Sequence, residues 1–110
     1  MRVFYRQAAS DDVVRQFRYY LVTQNLPEIA VRFRASLRLT IQSLLRHPLV
    51  GPHYRLSNPR LQNLRCWPVT RFETTRVYYL VDSDGIHVVR ILHGKRDVKR
   101  ILEHEMPLED

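Results

Sequence analysis

The stretch RILHGKRDVKRIL, residues 90–102, decides how this chain is built. The apolar run that ends at Leu92 meets a single glycine, a burst of cations, and then Val98, Ile101 and Leu102 at helical spacing. Such a change of period predicts a strand, a turn, and a short terminal helix that begins near Asp97 and packs back on the strand. Gly94 is expected to permit the turn and Asp97 to cap the helix, while Lys95, Arg96, Lys99 and Arg100 present charge.

Working outward, GIHVVRIL (85–92) and ETTRVYYLV (73–81) are rich in β-branched and aromatic residues and flank Asp82-Ser83-Asp84-Gly85. They predict a hairpin. Alternation along the first of its strands puts Thr74, Arg76 and Tyr78 on one side and Thr75, Val77 and Tyr79 on the other. LQNLRCW (61–67) is a further strand candidate, and RVFYRQ (2–7) a short first strand. The segment 47–60 holds three prolines and a glycine and is expected to be irregular.

Between the first strand and that segment lie two helical patterns. Ser10 is the expected N-cap of the first, over residues 11–23, with Asp11 and Asp12 favoured by the helix dipole and Val13, Val14, Phe17 and Leu21 on one face. Pro27 opens the second, Ala30, Phe33, Leu37, Ile41, Leu44 and Leu45 give its apolar face, and His47-Pro48 ends it. The short connection predicts an antiparallel helical hairpin.

The fold class that follows is α+β: an N-terminal strand and an antiparallel helical hairpin packed on a largely antiparallel sheet, with a short C-terminal helix, all in one domain over residues 1–110. The second face of that sheet is expected to be open, with Arg76 looking outward. Hydrophobic residues at 45% and one cysteine, Cys66, argue against disorder and against a disulfide framework. No apolar run reaches the roughly 18 residues of a membrane span. A soluble protein of the reducing cytoplasm is expected, with no membrane partner.

Lys and Arg number 18 against 11 Asp and Glu, for a net charge of +7 that favours polyanionic or acidic partners. His47, His53, His87, His93 and His104 lack the paired spacing of metal ligands, so neither a metal nor another cofactor is expected. Cys66 reads as a small buried hydrophobe rather than a nucleophile served by His93. Gly51, Gly85 and Gly94 are isolated and build no phosphate loop. What remains is the basic cluster Arg76, Arg90, Lys95, Arg96, Lys99 and Arg100 as a target-binding surface. Were RNA cleaved, His93 would serve as acid or base and Arg76 and Arg96 would stabilise the phosphorane. A basic nucleic-acid-binding module, with Trp67 and the tyrosines as stacking groups, is a third reading.

The element order, HP at 47–48 followed by LVG at 49–51, LRCWPV at 64–69, TRVYYLVD at 75–82 and VVRILHGKRDVKRIL at 88–102 together resemble the RelE/ParE superfamily of type II toxin-antitoxin toxins. RILHGKRD is typical of its ParE-like branch, often described as plasmid stabilization proteins. The resemblance implies a small basic toxin neutralised in a hetero-oligomer by a co-encoded antitoxin, whose C-terminal segment lies over the helices and sheet; Phe17, Tyr20, Arg34 and Arg38 are the residues expected to meet it. RelE-like members cleave messenger RNA on the ribosome, whereas ParE-like members poison DNA gyrase. Arg76 and Arg96 stand where the RelE-like branch has arginines, but that branch also has lysines where this chain reads Cys66-Trp67-Pro68-Val69, and a tyrosine where Leu102 stands. The resemblance therefore implies gyrase inhibition by binding, with the ribosome-dependent endoribonuclease as the alternative.

Overall fold

Gly85–His93 is the strand around which the molecule is assembled. The computed structural model describes residues 1–105. The chain runs β1 (Arg2–Tyr5), α1 (Gln7–Arg18), a π-helical turn (Tyr19–Thr23), α2 (Pro27–Arg46), a 3-10 turn (Pro59–Leu61), β2 (Arg65–Val69), β3 (Phe72–Val81), β4 (Gly85–His93) and α3 (Val98–Glu103). The sheet order is β1-β4-β3-β2, with β1 parallel to β4 and the other two pairings antiparallel.

Alternation along β3 is as the residue pattern requires: Val77 and Tyr79 face the helices, and Tyr78 faces the other way. β4 departs from strict alternation. Tyr78 lies opposite Arg90 and Tyr79 opposite Val88, so Val89 is an extra residue in the ladder. The bulge lets Val88 and Ile91 both enter the helix-side cluster, while Val89 and Leu92 enter the cluster behind the sheet.

α2 follows its sequence pattern closely. Pro27 stands in its first turn, and Ala30, Phe33, Leu37, Ile41 and Leu44 are buried, with Leu45 only half-buried. α1 differs from expectation. It begins at Gln7, because the N–H groups of Ala9 and Ser10 bond back to the Arg6 carbonyl at 3.0 and 3.1 Å, so Ser10 lies inside the helix and caps nothing. Its last expected turn is π-helical: Gln24 N–H reaches five residues back to Tyr19 C=O at 2.9 Å. The third strand candidate is displaced as well. Asn58 accepts a bond from Arg60 N–H at 3.1 Å, Pro59 opens a 3-10 turn there, and β2 starts only at Arg65.

The second sheet face is not open. Leu61, Leu64, Cys66, Tyr78, Val89, Leu92 and Leu102 form a second buried cluster, flanked by Tyr54, Leu56, Val98 and Ile101. The irregular segment and α3 supply that cover together. Asn58 Nδ2 donates to Leu102 C=O at 3.0 Å, and Ser57 N–H donates to Glu103 at 2.9 Å, so the turn capped by Asn58 also fastens the terminal helix.

Gly51 is fixed by a close approach. Its buried N–H donates to Tyr79 Oη at 3.0 Å, and Tyr79 Oη donates to Pro48 C=O at 2.9 Å. A Cβ on Gly51 would stand 2.6 Å from that hydroxyl and 2.7 Å from the Cys66 carbonyl. Tyr79→Phe is expected to cost about 1–3 kcal/mol by leaving the Gly51 N–H unpaired. Urea unfolding of the two proteins measures it.

Candidate functional site

The polar centre of the molecule is a carboxylate that its sequence neighbours do not predict. Asp12 lies in mid-helix with a fully buried side chain, well past the first turn of α1. Arg90 grips it with two short bonds, Nε to Oδ2 at 2.7 Å and Nη2 to Oδ1 at 2.8 Å. Arg15 adds a bond at 3.0 Å, and Ile91 N–H donates to Oδ2 at 3.0 Å. Gln16, one turn on, donates to Ile91 C=O at 2.8 Å and accepts from the Thr75 hydroxyl at 3.0 Å.

The reason is topological. β1 ends at Tyr5, opposite Val88, so the edge of β4 beyond that point has lost its partner strand. Side chains of α1 take over the ladder there, satisfying both backbone groups of Ile91. Arg90 continues to Glu105 at 3.2 Å, which also lies 3.9 Å from Arg6, and so ties the end of α3 to the same centre. The Asp12 hydrogen bond is the main cause that holds the Arg90 pKa above its ordinary value, against burial that would lower it. Arg90 is thereby removed from the expected target-binding surface: its guanidinium is committed inside the fold, with its side chain only 12% exposed.

The other predicted cations remain outside. Arg76, Lys95, Arg96, Lys99 and Arg100 are exposed at the end of the sheet and along α3. Arg76 makes no ion pair among the described residues. It lies opposite Leu92 on one side and Pro68 on the other, and lines a shallow groove of about 490 Å³ with Tyr54, Tyr78, His93 and Lys95. Burial pushes the Tyr78 hydroxyl up to about 12 and raises that of Tyr54, with Arg76 opposing both shifts. Neither phenol is poised to release a proton near neutrality.

His93 is half-buried, and its ring is engaged at both nitrogens. Lys95 N–H donates to Nδ1 at 3.1 Å, which places the neutral ring's proton on Nε2, 3.2 Å from the Thr74 hydroxyl. Arg96 does not share the Arg76 groove. It lines a separate cleft with Arg100, Ile101 and His104, and leans towards Asp12 at 3.9 Å. The sequence thus named cations on one side of the molecule, but Arg76, His93 and Arg96 do not converge on a common cleft.

Asp97 caps α3 as its position implies, with Oδ1 accepting from Arg100 N–H at 3.4 Å. Gly94 does not carry the turn by its backbone: its φ is not in the left-handed region, and an added Cβ would meet only Thr74 C=O at 3.4 Å. Gly94→Ala is expected to change stability by less than about 0.5 kcal/mol, measurable by thermal unfolding. Cys66 is buried in the second cluster opposite Tyr78, whereas His93 lies opposite Thr75, so the two are not juxtaposed. Trp67 packs half-buried against the helix-side core. The described residues contain no cluster of three or more His, Cys, Asp or Glu able to hold a metal ion, and no helix long and apolar enough to cross a membrane.

On the helical hairpin, the Arg34 guanidinium lies 5.7 Å from the centre of the Phe17 ring. Arg34 and Arg38 are exposed on α2 beside Val31 and Leu39, two large apolar side chains 64% and 59% exposed. Tyr20 is more a packing residue than expected: its ring sits 5.6 Å from Phe33 and 5.8 Å from Phe72.

A strand, a helical pair, a three-stranded antiparallel meander and a closing helix define a class of small basic α+β domains, and this arrangement has a counterpart among solved structures. A chain of the chromosomal ParDE TA system from P. aeruginosa superposes with a TM-score of 0.67 at 18% identity, over 84% of this chain and 95% of that one. No curated protein sequence matches. The family model for the ParE toxin of the type II toxin-antitoxin system parDE matches residues 3–98, and the chain belongs to that family.

Proposed function

We propose that this toxin acts by binding DNA gyrase, and that it neither needs nor contains machinery to cut RNA. The observation that carries the reading is the separation of Arg76 from Arg96 into different clefts, with the His93 ring engaged at both nitrogens. General acid–base cleavage with both arginines on one phosphate would need them in one cleft; Arg76 lies with His93 and Glu73 in one groove, and Arg96 lines another. The position opposite Arg76 is Pro68, and Leu102 is wholly buried on the inner face of α3. Neither can contribute charge or a proton to a bound strand.

The target surface is Arg76, Lys95, Arg96, Lys99 and Arg100, without Arg90. Arginine and lysine exposed along one short helix and the adjoining sheet end suit an acidic protein surface, where they raise the association rate and fix orientation. A cognate antitoxin binds the helical hairpin, laying an acidic amphipathic segment on Val31, Leu39, Arg34 and Arg38, with Phe17 beneath Arg34.

Supercoiling of relaxed plasmid by gyrase is the test. The wild-type chain is expected to block the reaction or to accumulate cleaved DNA, and Lys99→Glu/Arg100→Glu to weaken that effect about tenfold or more, the scale of losing one or two charged contacts. Full supercoiling at a large excess of folded toxin would overturn the proposal.

A further inference from the structure

Beside the ridge formed by His93 and Lys95, on the side away from Arg76, lies a second cleft. It has a volume of about 290 Å³ and is lined by Arg15, Gln16, Tyr19, Tyr20, His93 and Lys95. Its residues come from the π-helical turn, the last turn of α1, the end of β4 and the segment that follows it. π-Helical turns inside helices recur at functional sites, and this one sets Tyr19 and Tyr20 on the cleft wall.

We propose that this cleft binds a nucleoside phosphate, with the base against the tyrosines and the phosphate between Arg15 and Lys95. The inference goes beyond the gyrase reading and does not depend on it. Charge comes first. No carboxylate among the described residues lines the cleft, and Asp12, nearby, is spent on Arg90, on the Ile91 N–H and on a single nitrogen of Arg15. Arg15 keeps its side chain 54% exposed, so the rest of its guanidinium is free to meet an anion. The Lys95 main chain is anchored by the bond from its backbone N–H to His93 Nδ1, and its exposed side chain reaches the cleft from there.

Shape and polarity favour an anion that carries a ring. Tyr19 and Tyr20 meet edge to face at 5.6 Å, and Tyr20 is braced from behind by Phe33 and Phe72. Tyr19 remains 49% exposed, its hydroxyl held by Gln24 Nε2 at 2.9 Å, which leaves a ring fixed in place with a face to offer. Gln16 spends both ends of its amide on Ile91 and Thr75, so it brings no unpaired acceptor to repel a phosphate. Inorganic phosphate would leave most of such a volume empty. A planar base fills it and stacks on an aromatic wall.

The test is calorimetric titration of the full chain with AMP, ADP and GDP, beside adenosine, inorganic phosphate, a short 5′-phosphorylated oligonucleotide and poly-glutamate. Saturable nucleotide binding is expected, with adenosine and phosphate each weaker by about tenfold or more. Lys95→Gln and Tyr19→Ala are each expected to lose about tenfold in affinity while unfolding at the wild-type temperature, and Arg46→Gln on α2 to change nothing. Binding of free nucleotides assigns the site to the soluble pool; binding of the oligonucleotide alone, with the same dependence on Lys95 and Tyr19, assigns it to the end of a strand. Phosphate equal to AMP, indifference to both substitutions, poly-glutamate binding more tightly than any nucleotide, or no saturation by any nucleotide or the oligonucleotide would overturn the proposal.

Discussion

Asp12→Asn is expected to lower the unfolding free energy by about 3–5 kcal/mol, the usual loss when one partner of a buried ion pair is removed. The substitution leaves Arg90, whose side chain is 12% exposed, with only Glu105 among the described residues to balance its charge, and it sets an amide N–H₂ among donors from Arg90, Arg15 and Ile91. For a domain of this size such a loss corresponds to a fall in Tm of roughly 10–20 °C. Thermal unfolding followed by circular dichroism measures it. A double-mutant cycle with Arg90→Leu identifies the cause: if the pair is the unit, the two losses are far from additive. Additive losses, or an Asp12→Asn protein as stable as wild type, would show that the carboxylate is not the centre on which α1, β4 and the end of α3 depend.

Leu102→Ala is expected to cost about 2–5 kcal/mol, because a wholly buried leucine leaves a cavity on truncation. The effect is aimed at one region. Leu102 is the residue through which α3 enters the second cluster, and its carbonyl receives the Asn58 amide. Loosening it frees Lys99 and Arg100 from the sheet. Amide exchange in the Leu102→Ala protein should rise first in α3 and the 54–64 segment, while α2 and β3 keep their protection. Uniform loss of protection would mean that the second cluster does not behave as a separate layer.

The helix-side core was legible from residue order because its signals are local. Ala30, Phe33, Leu37, Ile41 and Leu44 carry the helical period, and Val77 and Tyr79 the strand period, on elements long enough to show it. Asp12 was hidden for the opposite reason. Beside Asp11 and soon after a serine it looks like a helix-start carboxylate, and its partner Arg90 lies 78 residues away. The cover of the second face was equally hard to see, since Tyr54, Leu56, Leu61 and Leu64 are scattered through a proline-rich segment with no period. A hint did exist: Leu102, Val98 and Ile101 form an apolar stripe on a helix too short to stand unless it is packed.

Five of the six cations of the expected target surface are exposed, and Arg90 is not. The exposed cations around α3 follow from charge pattern alone, whereas the withdrawal of Arg90 follows from a vacancy in the sheet that no spacing rule reveals. The bulge at Val89 sits next to that arginine, so the extra residue and the buried ion pair belong to one local solution for a strand that loses its neighbour at Tyr5.

A cationic toxin that arrests gyrase by contact, as proposed above, leaves messages uncut. Induce the chain in growing bacteria without an antitoxin, map the ends of actively translated messages by primer extension, and assay plasmid DNA for protein-linked breaks in the same cells. Intact messages and broken DNA are the expected result. New message ends within codons, with DNA left whole, would contradict it.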